Sequence, residues 1–294
     1  MKVLVLGVSG MLGSSVYKHF HQKGQYNVFG TARSSNMAKY FNINQQKNII
    51  YGIDVLHIDL LLKVFSSIKP DIVVNCVGLI KQLENAKDPL EVLPINSILP
   101  HQLSRLCTAT NARLIHVSTD CVYSGKFGGY VESSVSDACD LYGMSKFIGE
   151  VNDSSNSITL RTSIIGHELN TNHALVDWFL NQEIKVKGYT KAVFSGLPTD
   201  ELAHVIHDFV LPNKKLRGLY HVSAEPITKH DLLQLIANRY DKSIEIIPDE
   251  SVSIDRSLNS DKFKKVTGYQ PPSWERLVDI MYKGLSVTGM EQNK

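Results

Sequence analysis

Apolar positions along the first half of the chain change period repeatedly. Val3–Leu6 is an unbroken apolar run, the pattern of a strand covered on both faces of a parallel sheet. Ser14–Gln22 has helical spacing and stops near Gly24, a residue suited to a helix C-cap. Strands are predicted at Tyr26–Thr31 and Ile49–Ile53, then a helix at Ile58–Ile68 that Lys69-Pro70 terminates. Asp71–Val77 is a fourth strand, Leu93–Thr108 a helix, Arg113–Ser118 a fifth strand and Ile158–Arg161 another. Strict alternation implies right-handed crossovers and an α/β, Rossmann-type doubly wound parallel sheet. Past Gly166 the pattern loosens into loops with helices at Ala174–Asn181, Asp200–Val210, Lys229–Tyr240 and Trp274–Lys283. The expected organisation is therefore a cofactor domain over 1–166 and a smaller C-terminal substrate-binding domain over 167–294, with some later elements packing back on the first.

Composition changes this picture little. Of 294 residues 43% are hydrophobic and 20% charged, and a net charge of +2 argues for neither a nucleic-acid nor a membrane partner. Distribution says more: no Asp or Glu occurs before Asp54, whereas Lys2, Lys18, Lys23, Arg33, Lys39 and Lys47 are basic, a surplus that suits an anionic ligand. Cys76, Cys107, Cys121 and Cys139 are widely spaced, as expected of reduced thiols in a cytoplasmic protein. The histidines include no H-E-x-x-H and no Cys/His cluster, so no metal site is expected. No apolar run approaches a signal peptide core or the roughly 20 residues of a membrane span.

Chemistry enters with Gly7, Gly10 and Gly13, which form G-x-x-G-x-x-G between a strand and a helix, with Ser9, Met11 and Leu12 among them. Glycines permit the tight turn and the approach of backbone N–H groups to a pyrophosphate, and the helix N-terminus adds partial positive charge. A carboxylate after the second strand would read a free ribose; here stand Arg33 and Ser34, and a guanidinium matches a 2′-phosphate. NADPH is therefore predicted over NADH. Asp54, with Val55, follows the third strand as an adenine contact or a helix cap.

Tyr142 and Lys146 lie four apart and share a helix face, behind Ser118-Thr119-Asp120 at the end of a strand. A neighbouring ammonium is expected to lower the tyrosine's pKa, while Thr119 holds a substrate oxygen. Hydride addition to a carbonyl carbon needs such a trio, because charge develops on oxygen and a phenol can protonate it.

At these residues the chain resembles the extended short-chain dehydrogenase/reductases, and more closely the dTDP-4-dehydrorhamnose reductase group of sugar-nucleotide reductases. The resemblance runs over Pro70–Gly78, Ile95-Asn96-Ser97, Leu114–Gly125, Tyr142–Glu150, Leu160–Ser163 and Phe194–Gly196, with Ser118–Gly125 the most specific stretch. It implies an NADPH-binding domain and a C-terminal domain closing over a nucleotide-linked sugar. It also implies a catalytic trio of Thr119, Tyr142 and Lys146, with Lys146 holding the nicotinamide ribose. Cys76, Val77 and Gly78 would line the cofactor, and Asn96 would support a proton-relay water. The implied substrate is a dTDP- or UDP-linked 4-keto-6-deoxyhexose, N-acetylated or not, reduced at C4 for surface polysaccharide synthesis; a homodimer is compatible with this reading.

Two departures stand out. Related 4,6-dehydratases carry Thr-Asp-Glu where this chain has Thr119-Asp120-Cys121, which disfavours dehydration, and the loop Leu79–Glu84 differs from the rhamnose enzyme. Asp120 belongs with the substrate candidates. Arg256 suits a substrate pyrophosphate or a surface ion pair, and Lys81 a sugar or solvent. Trp178-Phe179 and Trp274 suit a core, and Thr199 a helix N-cap. A superfamily epimerase and a non-catalytic subunit like the regulatory subunit of methionine adenosyltransferase are the alternatives.

Overall fold

The computed structural model describes residues 1–81 and 87–288. In chain order it contains β1 (Lys2–Leu6), α1 (Met11–Lys23), β2 (Asn27–Ala32), α2 (Ile43–Gln46), β3 (Ile49–Tyr51), α3 (Ile58–Ile68) and β4 (Ile72–Asn75). There follow α4 (Pro89–Leu93), α5 (Leu99–Ala109), β5 (Arg113–Thr119), α6 (Leu141–Ile148), β6 (Ser157–Thr162) and β7 (Ile164–Ile165). The remainder comprises α7 (Leu175–Leu180), β8 (Lys185–Phe194), β9 (Leu197–Pro198), α8 (Thr199–Val205), β10 (Gly218–His221), β11 (Ile227–Thr228), α9 (Lys229–Arg239), β12 (Glu245–Asp255), α10 (Asp261–Thr267) and α11 (Trp274–Thr288).

Seven parallel strands form the central sheet in the order β10-β6-β5-β4-β1-β2-β3. Because side chains alternate across a strand, the apolar run of β1 serves both faces. Val3 and Val5 join the core that includes Val16 and Phe20 of α1 and Leu202 and Val205 of α8; Leu4 and Leu6 join the core under α3 and α5. In α3 the buried positions Leu61, Val64, Phe65 and Ile68 make one stripe, each contributing about 1.5–3 kcal/mol of burial. Gly24 caps α1 in the left-handed region at φ 65°, donating its N–H to Phe20 O.

The second half departs from expectation most. The region read as loops contains β8 and β12, which pair in parallel with β11 on the other side of β8, in a separate three-stranded sheet. β10, although it follows residue 166, adds the edge strand beside β6. The helix expected from Leu93 begins at Pro89 and passes through a π turn at Pro94–Ile98, and α8 likewise runs into a π turn at Ile206–Val210. Thr199 is not a cap: the helix starts directly from Pro198, and the Thr199 hydroxyl accepts from Ser15 Oγ at 2.9 Å. Trp274 is buried against Phe194 and donates Nε1–H to Glu225 O at 2.7 Å. The four cysteines are free thiols, and among the described residues no helix is long and apolar enough to cross a membrane.

Candidate active site

Since every strand of the central sheet points the same way, all the carboxyl ends lie along one edge. The crevice expected to take a ligand opens where the connections leave in opposite directions, between β1 and β4. The glycine loop occupies that position. Gly7 adopts φ 82°, and a Cβ there would stand 2.8 Å from Val77 Cγ2, so loop and β4 turn touch. A Cβ on Gly13 would overlap Gly7 O, whereas one on Gly10 would meet only Gly7 O, at an ordinary 3.5 Å. Gly10 begins α1 with no side-chain cap and no acid in the first turn, leaving N–H groups for an anion. This cradle fits a dinucleotide pyrophosphate, and Ser9, Met11 and Leu12 lie within it.

Next along the edge, Arg33 follows β2 and is exposed, while Ser34 Oγ accepts from Asn36 N at 3.2 Å. After β3, Asp54 Oδ1 accepts from Leu56 N at 3.0 Å beside buried Val55; the N-cap of α3 is His57, so Asp54 holds the preceding turn and not the helix. At the end of β4, Asn75 Oδ1 accepts from Val77 N at 3.1 Å and fixes the Cys76–Gly78 turn. The π turn presents the buried Asn96. Its Oδ1 accepts from Leu79 N at 2.9 Å, and its Nδ2 donates to Leu79 O at 3.1 Å and Ser145 Oγ at 3.2 Å. Asn96 thus braces the β4 turn against the tyrosine helix.

Thr119, at the end of β5, is buried; Oγ1 accepts from Cys121 N at 3.2 Å and donates to Asp120 Oδ1 at 3.2 Å. Asp140 caps α6 by accepting from Gly143 N at 2.7 Å, which sets Tyr142 in the first turn. Gly143 is required here because a Cβ would overlap Cys121 O. Lys146, one turn on, is buried and donates to Val117 O at 2.8 Å. A Cβ on Gly78 would lie 3.9 Å from its Nζ, so the lysine bridges β5 and the β4 turn.

The expected lowering of the tyrosine pKa is overturned. Burial raises it, with Cys121, Asp120 and Asp140 adding to the rise, while the nearby Thr119 hydroxyl opposes it. The Lys146 ammonium is directed at Val117 O, and burial draws its own pKa down to about 8, against the pull of Glu150 and Cys76. Burial, reinforced by Asp120, pushes the Cys121 thiol up to about 12. Cys121 therefore stays protonated at neutral pH and offers no base.

The substrate candidates divide. Arg256, beyond β12, donates Nε–H to Tyr123 O at 2.8 Å and its charge reaches Asp120. Burial raises the Asp120 carboxyl, with Arg256 and Lys229 opposing. Lys81 is paired with Asp140 at 2.6 Å, and so is held at the cap of α6. The rest of the loop that departs from the rhamnose pattern, 82–84, lies outside the described residues. Lys229, the first residue of α9, was not anticipated; burial lowers its pKa, with Asp120 and Cys121 pulling it back up. Its only sequence signal was the Thr228 N-cap of a helix.

Beneath the trio lies an ion pair that sequence reading also passed over. Arg161 donates Nε–H to Glu150 Oε1 at 2.8 Å and Nη2–H to Oε2 at 2.5 Å, both residues being buried. Ser118 Oγ adds a bond to Glu150 Oε1 at 2.7 Å, and Arg161 Nη1 reaches Tyr123 OH and, at 3.1 Å, His221 Nε2. This network ties the segment after α6 to the strand that ends in Thr119.

The chain is similar to known proteins in sequence and in fold. A family model described as RmlD substrate binding domain matches residues 1–286. The chain is 24% identical over 299 residues to dTDP-4-dehydrorhamnose reductase of Aggregatibacter actinomycetemcomitans, covering 94% of this chain and 96% of that one. It is 23% identical over 324 residues to methionine adenosyltransferase 2 subunit beta of Xenopus tropicalis, covering 96% and 90%. In fold it is similar to dTDP-4-dehydrorhamnose reductase of Bacillus anthracis, solved in complex with NADP. The TM-score is 0.78 at 19% identity, over 96% of this chain and 99% of that one.

Proposed function

The chain belongs to the RmlD substrate-binding-domain family, and from that membership we propose that it reduces the C4 ketone of a nucleotide-linked 4-keto-6-deoxyhexose with NADPH. The observation that carries the reading is one juxtaposition: Thr119, Tyr142 and Lys146 gather at the same sheet edge as an uncapped glycine cradle. The dinucleotide would supply hydride. Gly7, Gly10 and Gly13, with Ser9, Met11 and Leu12, would hold its pyrophosphate, Arg33 and Ser34 a 2′-phosphate, and Asp54 with Val55 the adenine side. Cys76, Val77, Gly78 and Lys146 would hold the nicotinamide end.

Tyr142 begins as a neutral phenol, because burial raises its pKa. That is the state a donor needs when the ketone oxygen takes on charge. Thr119 Oγ1 positions that oxygen, and Asn96 keeps Tyr142's helix in register with the cofactor turn. Arg256 and Lys229 supply positive charge around Asp120 for the substrate's pyrophosphate. With Cys121 where a glutamate would serve as base, loss of the C5 proton is disfavoured and reduction is the supported outcome. The B. anthracis relative's complex with NADP supports the choice of NADPH.

The test is NADPH consumption by the purified chain with dTDP- and UDP-linked 4-keto-6-deoxyhexoses, N-acetylated and not. Turnover with one of them is the expected result. Tight NADPH binding with no turnover on any would overturn it and favour the role carried by the methionine adenosyltransferase subunit, to which the chain is 23% identical over 96% of its length.

A further inference from the structure

Away from the sheet edge, α1 and α8 pack together, and three metal-ligand side chains meet between them. His19 lies nine residues below the cap of α1, about 13 Å along the helix axis from the glycine loop. His204 and Asp208 are one turn apart where α8 passes into its π turn. One ligand atom from each of His19, His204 and Asp208 lies within 4.8 Å of the other two. His19 Nε2 is buried and has no hydrogen-bond partner among the described residues, a cost that native structures rarely leave standing.

We propose that His19, His204 and Asp208 form a site for a divalent transition metal of the zinc class, clasping α1 to α8. Two imidazoles and one carboxylate suit such an ion, which holds nitrogen and oxygen ligands at about 2.0–2.2 Å. Tetrahedral ligand atoms then stand about 3.3 Å apart, so side-chain rotation must open the His204 Nδ1–Asp208 Oδ2 contact from 2.6 Å and bring His19 in from within 4.8 Å. Asp208 is already aimed: His204 Nδ1 lies 2.6 Å from Oδ2, and His207 Nδ1 holds Oδ1 from the other side. His207 is the outer support that orients the carboxylate. His204 and Asp208 are partly exposed, which leaves the remaining coordination to water. Lys23 competes, 3.4 Å from Asp208 Oδ2, but at 42% exposure it is free to swing into solvent.

The proposal rests on no reading of the reductase site, and metal uptake tests it alone. The full chain, stripped with a chelator, is titrated with Zn²⁺ by calorimetry, and its melting temperature is followed with and without the ion. One Zn²⁺ per chain and a rise in melting temperature are expected. His207→Ala should weaken binding about 10- to 100-fold and His19→Ala at least as much, with Co²⁺ giving the visible bands of a four-coordinate centre. Metal-free melting of each variant reports folding; if His19→Ala does not fold, Asp208→Asn, at a partly exposed position, reads the same site. Uptake well below one ion per chain, or uptake unchanged in the folded variants, would overturn the assignment.

Discussion

Replacing Arg161 by Met should destabilise the protein by about 3–5 kcal/mol, the loss expected when one partner of a buried ion pair is removed. The structure gives the parts of that figure. Two hydrogen bonds to Glu150 disappear, each worth about 1.5–3 kcal/mol because the acceptor is charged. Glu150 keeps the Ser118 Oγ hydrogen bond and the more distant pull of Lys146, and Tyr123 loses a guanidinium whose carbon stands 5.0 Å from its ring centroid. In urea, with a slope of roughly 3 kcal/mol per molar for a chain of this size, the midpoint should fall by about 1–2 M. The Glu150→Gln/Arg161→Met double variant removes the stranded charge and should regain at least about 2 kcal/mol of the loss. Because Ser118 adjoins Thr119, the single variant should also lose turnover well below its melting temperature. A single variant within about 1 kcal/mol of the parent, or a double variant no better than the single, would refute the reasoning.

Three further outcomes follow from the site. Tyr142→Phe should lower kcat by about 10²-fold or more while leaving NADPH affinity nearly unchanged, which steady-state kinetics and a binding titration separate; near-normal turnover would remove the phenol from the reaction. Arg33→Ala should weaken NADPH far more than NADH, and equal losses would mean that the guanidinium reads no phosphate. Lys146, drawn down to about 8, is charged below that pH and neutral above it. Cofactor affinity should therefore fall between about pH 7 and about pH 9, and that fall should vanish in Lys146→Met.

Much of the first half was legible because its signals are local. Val3–Leu6, the three glycines and Tyr142 with Lys146 each depend on neighbours within a turn or two. The strands of the second half are not local. In β8 burial alternates only over part of its length, and β12 contains Pro248 among acids, which reads as loop. β12 tolerates that proline as the edge of its sheet, paired on one side only. The tyrosine's raised pKa depends on burial together with Asp120 and Asp140, which spacing alone does not report. His19 and His204 are far apart in the chain, so their meeting had no sequence signature.

The small sheet β11-β8-β12 has a consequence for how this protein can change. Lys229 opens the helix directly after β11, and Arg256 directly follows β12, whereas Thr119 and Tyr142 belong to β5 and α6. In the proposed reaction, recognition of the substrate's charge and delivery of the proton would thus be written on separately mutable pieces. A lineage, or a directed library, would then retune which sugar nucleotide is accepted by varying two strand ends, with the proposed hydride chemistry left intact.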